Sequence, residues 1–127
     1  MFRIYKRALG DVEPFEYLPG AEGLALGSAV KVASGQLAKC AATDKPAYII
    51  AGVKRADGNY PVIRVLNTTI FEAEASGAVE ADKLATTLQM NAEADGLTTT
   101  AGGAFTVTWA DGGTVVRGYF EPAAASV

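Results

Sequence analysis

Short apolar runs alternate with glycine-containing turns along this chain. Residues 30–32 and 37–41 each alternate apolar and polar positions on either side of a Ser34-Gly35 turn, which predicts a β-hairpin. Residues 48–53 form an apolar run that contains aromatic and β-branched residues, as is typical of a buried strand. Because these runs are short and turns separate them, the pattern predicts an all-β domain.

The beginning of the chain has a different texture. Residues 1–6 alternate and predict a short strand with Phe2 and Ile4 on one side. Residues 10–23 are interrupted by proline and glycine, which predicts an extended loop. The predicted organisation is an N-terminal arm over residues 1–20, a β domain over residues 21–122 and a frayed tail over residues 123–127.

The second half contains the clearest strand. Phe105, Val107 and Trp109 alternate with threonines and should share one face, which predicts that Trp109 is buried. Further strands are predicted at residues 61–66, 97–100 and 114–121. The alternation breaks near Asn67, where we expect a bend or bulge, after which Ile70 would face the core. Residues 83–90 fit a strand or one short helix equally well.

Charge is unevenly distributed along the chain. Residues 1–64 carry nine basic and six acidic side chains, whereas residues 65–116 carry one basic and seven acidic ones. The overall net charge of −3 argues against nucleic acid as a partner. Two segments of opposite sign could pack head-to-tail between copies of the chain, although separately solvated faces are the simpler interpretation.

The side chains needed for most catalysis are missing from the sequence. The chain has no histidine and one cysteine, Cys40, which excludes histidine-based nucleophile activation and a zinc site. A disulfide within the chain is excluded for the same reason, and we expect Cys40 to be a buried, unreactive thiol. No cofactor is predicted, and the chain is not expected to be an enzyme.

Three further patterns suggest chemistry only weakly. Residues 91–96 place oxygen-bearing side chains before a glycine, as calcium loops do, but Gly102 occupies the position of the usual bidentate acid. We therefore expect a solvated turn there. The glycine pairs lack the lysine and hydroxyl residue of a phosphate-binding loop and are expected to be hairpin turns.

Closely spaced carboxylates are the third pattern. The pairs Glu72 with Glu74 and Glu80 with Asp82 would each share a strand face, and paired carboxylates can hydrolyse glycosides. Nothing else in the sequence indicates a sugar-cleaving cleft, so catalysis there is not expected.

No apolar run is long enough for a membrane helix and no signal-peptide pattern is present, so a soluble, cytoplasmically made protein is expected.

The order of these patterns resembles the capsid decoration, or cement, proteins of tailed bacteriophages. The resemblance begins with residues 24–42, which match the family's opening hairpin, and continues with the apolar strand that ends in Gly52-Val53. A strand like the family's next one follows at residues 62–66. The carboxyl-terminal part is similar at residues 82–84, 95–98, 103–107 and 114–120. The resemblance spans about residues 20 to 121.

The resemblance implies a fold and a role. The fold would be a small β-barrel or β-tulip domain, usually trimeric, on the outer surface of the virion capsid. Its partner would be the major capsid protein, whose neighbouring subunits it would clamp, and the protein would be made in the host cytoplasm. Neither nucleic acid nor a membrane is expected as a partner.

Contact residues can be suggested for that role. Candidate shell contacts in the predicted arm are Phe2, Arg3, Ile4 and Arg7. Candidate trimer contacts pair a basic group with an acidic group on a neighbouring copy; these are Lys54, Arg55 and Arg64 against Glu72, Glu74 and Glu80.

Other functions remain open at this level. A carbohydrate-binding or surface-binding β module could use Trp109, Tyr60 and Tyr119 to stack on sugars. Burial of Trp109 would weaken that hypothesis. Another non-enzymatic virion component, such as a head-completion or tail part, would show much the same sequence.

Overall fold

The computed structural model describes residues 1–7 and 16–121, and within them the chain is all-β, as predicted. The first five strands are β1 (Arg3–Arg7), β2 (Glu16–Pro19), β3 (Ala29–Ala33), β4 (Gln36–Lys39) and β5 (Tyr48–Ile50). The next three are β6 (Asn59–Arg64), β7 (Thr69–Glu74) and β8 (Thr87–Met90). The last are β9 (Leu97–Ala101), β10 (Phe105–Trp109) and β11 (Val115–Phe120).

The strands form two antiparallel sheets. The six-stranded sheet has the order β1-β7-β11-β10-β8-β9, and the five-stranded sheet has the order β2-β6-β5-β3-β4. Strands β6 and β7 belong to different sheets, so the predicted break near Asn67 is the point where the chain crosses from one sheet to the other. The crossing changes the phase of the alternation. Phe71 is therefore buried and Ile70 only partly so, contrary to the prediction for Ile70.

Each sheet curls at one end without closing. Gly20 forms an isolated bridge to Leu37, which brings the two edge strands of the five-stranded sheet together, and Ala75 forms one to Leu97 in the six-stranded sheet. Because each contact is a single isolated bridge and not a ladder of paired residues, the described residues form two curled sheets and no closed barrel. The predicted barrel closure is thus corrected, and the all-β class is confirmed.

The larger of two apolar cores lies under the six-stranded sheet. Phe120 is central to it, with ring centroids 4.9 Å from Phe2, 5.1 Å from Phe105 and 5.9 Å from Phe71. Cys40 is buried in the same core, as expected.

A smaller core lies within the five-stranded sheet. It contains Val30, Leu37, Ile50, Tyr60 and Val62. The neighbours of Val30 and Ile50 along the chain, Ala29 and Ile49, belong to the larger core. Because successive side chains of a strand point to opposite faces, β3 and β5 contribute to both cores and join them.

Local turn chemistry agrees with the sequence pattern. Ser34 and Gly35 have φ values of 52° and 76°, so both central residues of the β3–β4 turn have the positive φ that a type I′ hairpin requires. Residues 83–90, which could have been helix or strand, begin at the end of a short 3-10 turn (Ala81–Lys83) and continue into strand β8.

The predicted separate arm is not what the structure shows. Strand β1 pairs with β7 and strand β2 pairs with β6, so both belong to the sheets. This pairing satisfies backbone hydrogen-bonding groups of both strands. Phe2, just before β1, also packs in the larger core and holds that strand on the domain. The part of the predicted arm over residues 8–15 and the predicted frayed tail lie outside the described residues.

Candidate binding surfaces

A row of side chains crosses the outer face of the six-stranded sheet. Arg3, Glu72, Arg117 and Trp109 are successive Cα partners on β1, β7, β11 and β10. Adjacent strands lie about 4.8 Å apart, so the row brings residues from distant parts of the sequence together. The core-facing neighbours of Glu72 and Arg117 are buried, which directs these two side chains to the outer face.

Ion pairs hold the centre of the row. Arg117 Nε donates to Glu72 Oε2 at 3.1 Å, and Arg3 Nη2 donates to Glu72 Oε1 at 3.1 Å. The second Arg3 nitrogen, Nη1, donates to Glu74 Oε1 at 3.1 Å. The hydrogen bonds from Arg117 and then from Arg3 lower the pKa of Glu72 below its ordinary value. Glu72 is thus a shared acceptor between two guanidinium groups.

Two aromatic rings flank this ion-pair cluster. The Arg117 guanidinium carbon lies 4.0 Å from the Tyr5 ring centroid and 4.2 Å from the Trp109 ring centroid, within cation–π range of both. Tyr5 is 51% exposed and Trp109 is 36% exposed. Tyr5, Arg117 and Trp109, together with Glu72, are called the aromatic row below.

The exposure of Trp109 overturns the prediction that it is buried. The pairing of β10 with β11 shifts register between Val107 and Trp109, which marks a bulge. A bulge inserts an extra residue into one strand and changes which face the following side chain occupies. Phe105 and Val107 therefore face the core as predicted, whereas Trp109 lies on the outer face.

The three aromatic residues suggested for sugar stacking do not come together. Tyr60 is buried in the smaller core, where its hydroxyl donates to the Ala21 carbonyl at 2.8 Å and accepts from the Leu24 amide at 3.3 Å. Tyr119 is partly exposed on β11, next to the strand that carries Trp109. Sequence reasoning missed Tyr5 and Arg117 because their proximity to Trp109 depends on long-range strand pairing. Only the placement of Tyr5 opposite Phe2 and Ile4 hinted that it would be exposed.

The candidate shell contacts occupy different environments. Phe2 is 3% exposed and packs on Phe120, so its ring is unavailable to a partner in this structure, and Ile4 packs against the same core. Both corrections have one cause, since alternation along β1 directs these apolar side chains inward. Arg3 is part of the ion-pair cluster on the outer face. Arg7 ends β1, and its side chain lies outside the described part of the chain.

Most of the candidate trimer contacts already have partners within the chain. Arg64 donates to both carboxylate oxygens of Glu16, at 2.9 and 2.7 Å, and Lys54 donates to Glu22. Arg55 lies 3.9 Å from Asp57. The remaining candidates lie in the other sheet, where Glu72 and Glu74 pair with arginine and Glu80 is exposed. These internal pairs reduce the charge available for contacts between copies.

Cys40 is buried, and Asn91 and Asp95 of the suspected calcium loop bond to each other. Burial raises the pKa of the Cys40 thiol to about 12, with a smaller contribution from the charge of Asp44. Asn91 Nδ2 donates to Asp95 Oδ1 at 3.0 Å and Asn91 Oδ1 accepts from the Asp95 amide at 3.2 Å, so the side chains of the suspected calcium loop bond to each other. Within residues 1–7 and 16–121, no group of three or more histidine, cysteine, aspartate or glutamate side chains is placed to hold a metal ion.

A cleft of about 280 Å³ lies between residues 21–25 and the turn that carries Glu93 and Asp95. Its charged lining residues are also engaged, because Lys39 lies 3.5 Å from Glu93 and Glu22 pairs with Lys54 outside the cleft. In the described part of the chain, no helix is long and apolar enough to cross a membrane.

In comparisons with known proteins, no protein-family model, no curated protein and no solved structure matches the chain.

Proposed function

We propose that this chain is a structural virion protein that binds the outside of a tailed-bacteriophage capsid and stabilises contacts between major capsid subunits. The observation that carries the proposal is the order along the chain of the strands that form the five-stranded sheet. Hairpin β3–β4 is followed by the short apolar strand β5 and then by β6, in the segments whose sequence resembles decoration proteins. Strands β9, β10 and β11 occupy the similar carboxyl-terminal segments.

Sheet edges offer a physical means of docking. Strands β1 and β9 are the outer strands of the six-stranded sheet. The start of β9 is already bridged by Ala75, so an extended segment of a capsid subunit would add along β1 by backbone hydrogen bonding. The sequence of strand β1 contains three basic residues, Arg3, Lys6 and Arg7, and a basic sequence favours an acidic shell segment as its partner. We place the shell contact along β1 for that reason.

A trimer would strengthen such docking. Three weak strand additions made by one assembly bind with far higher avidity than one alone, which suits a protein that resists internal pressure. In this proposal the copies meet between the basic segment containing Lys54, Arg55 and Arg64 and the acidic segment containing Glu80. The other partner is the major capsid protein.

The test uses undecorated capsids from the phage genome that encodes this chain. We expect the purified protein to co-sediment with them at a fixed ratio to the capsid subunits and to raise the temperature at which they rupture. Bovine serum albumin at the same concentration serves as the control for trapping. Failure to co-sediment at any concentration above the subunit concentration contradicts the proposal.

Light scattering on a size-exclusion column measures the assembly state separately. A mass of about three times the 13.1 kDa chain supports the trimer. A monomer that nevertheless co-sediments with capsids retains the clamp and contradicts only the trimer formed before docking.

A further inference from the structure

The rings of the aromatic row are held in place before any ligand arrives. The Arg117 guanidinium contacts both Tyr5 and Trp109 and is itself fixed by its hydrogen bond to Glu72. Rigid aromatic side chains lose little conformational entropy on binding, which makes such rings effective contact points. Their exposed fractions of 51% and 36% leave ring surface accessible.

The charged groups at the aromatic row are paired within the chain. Glu72 accepts from Arg3 and Arg117, and Glu74 accepts from Arg3 and, at 3.4 Å, from the amino group of Met1, so three positive groups share two carboxylates. Because each of these charges already has a partner, the row offers little free charge to a strongly charged ligand. Covering these ion pairs with an apolar protein surface would remove their water without replacing it, which is costly. A ligand rich in hydroxyl groups can replace that water.

The sheet beside the aromatic row carries hydroxyl groups without charge. Thr106 and Tyr119 are Cα partners on β10 and β11, and Thr108 is exposed next to Trp109. Hydroxyl groups both donate and accept hydrogen bonds, so they suit ligands whose own groups are hydroxyls. The face therefore combines accessible rings, charges that are already paired and neutral hydroxyls.

We propose that this face binds a neutral oligosaccharide. A sugar ring presents C–H groups on its faces, which pack against aromatic rings, and hydroxyls at its edges, which hydrogen-bond to carboxylate, guanidinium and hydroxyl groups. Trp109 and Tyr5 provide the stacking surface, whereas Glu72 and Arg117 provide the hydrogen bonds. The inference does not depend on capsid docking, because it uses side chains on the outer face of the sheet, whereas docking uses the backbone groups at the edge of β1.

The single tryptophan of the chain allows a direct test. The full-length protein is titrated separately with cellohexaose, maltohexaose and chitohexaose while Trp109 fluorescence is recorded. We expect a saturable change in emission with at least one of them, and calorimetry should then give the affinity. Trp109→Ala should weaken that affinity about tenfold or more, as loss of a central aromatic contact does. Trp109→Phe, which keeps a ring, should recover most of it.

A matched control comes from the other sheet. Tyr17 is 44% exposed and has the Arg55 guanidinium 4.4 Å from its ring centroid, so Tyr17→Ala removes a similar exposed stack away from the aromatic row. Its saccharide affinity should equal that of the unmodified protein. Circular dichroism checks that each variant is folded.

Several results would overturn the inference. The proposal fails if the unmodified protein responds to none of the three saccharides, or if Tyr17→Ala weakens binding as much as Trp109→Ala does. It also fails if only a sulfated oligosaccharide binds and moderate salt abolishes that binding, since the interaction is then electrostatic. If Trp109→Ala instead abolishes capsid co-sedimentation while no saccharide binds, the face is a protein contact.

Discussion

Glu72 shows how one surface side chain organises its neighbourhood. It accepts hydrogen bonds from Arg117 and Arg3, which lie 45 and 69 positions away in the sequence. Because Arg117 also contacts Tyr5 and Trp109, the position of the carboxylate determines where the guanidinium and hence the rings lie. The organisation of the aromatic row therefore depends on Glu72, for which the sequence suggests only a carboxylate pair or a contact between copies.

The lowered pKa of Glu72 gives a pH prediction. The ionised form stabilises the folded state above the ordinary glutamate pKa of 4.5, and that stabilisation is lost as the pH falls through the lower folded value. Glu72→Gln should thus lower the stability at pH 7 by about 1 kcal/mol or less, because the group is near the surface. The difference from the unmodified protein should shrink toward pH 3, as measured by urea unfolding.

Glu80→Gln is the matched control, because Glu80 is an exposed carboxylate close to Glu72 in the sequence. The stability of this variant should equal that of the unmodified protein at both pH values. An equal deficit for Glu72→Gln at pH 7 and pH 3 would show that the loss comes from packing and not from ionisation.

Strand β11 is the element on which the six-stranded sheet depends most. It lies between β7 and β10 and directs Val116, Gly118 and Phe120 toward the core. Gly118 allows the close approach of β10, because a Cβ at that position would lie 2.1 Å from the Thr106 carbonyl oxygen and 2.6 Å from the Phe105 ring. The outward residue before it, Arg117, belongs to the aromatic row, so close packing beneath the strand supports the surface above it.

Gly118→Ala should therefore be strongly destabilising. The atoms it would strike are the backbone of a paired strand and a buried ring, which cannot move aside cheaply, so we expect a loss of about 3 kcal/mol or more in the free energy of unfolding. Gly113→Ala is the comparison, since its Cβ would meet only the flexible Asp111 side chain at 3.3 Å. Chemical denaturation would distinguish them, and equal midpoints for the two variants would contradict the packing argument.

At the scale of the whole molecule, the two sheets are joined by strands that serve both cores. Ala29 and Ile49 belong to the larger core, whereas their neighbours Val30 and Ile50 belong to the smaller one. A mutation that destabilises the smaller core should consequently also destabilise the larger one. Cys40 can report this, because its buried thiol has a pKa near 12 and should react only when the larger core opens.

Ile50→Val provides the corresponding test. Removing one buried methylene should cost about 1 kcal/mol. If the sheets unfold as a unit, the variant should accelerate Cys40 labelling by a thiol reagent about fivefold in the regime where labelling follows the unfolding equilibrium. Val53→Ala is the control. Val53 is 83% exposed, so this variant should leave Cys40 labelling unchanged. Unchanged labelling in Ile50→Val would show that the sheets open independently.

The local pattern of the sequence determined the all-β class, the β3–β4 hairpin and the burial of Cys40, because alternation and turn residues act over a few positions. Only the tertiary structure decided that Phe2 fills the core, that a bulge directs Trp109 outward, and that Arg3, Glu72 and Arg117 meet. These features depend on which strands pair and in what register. Strand register follows from contacts across the whole chain, so a local pattern cannot specify it.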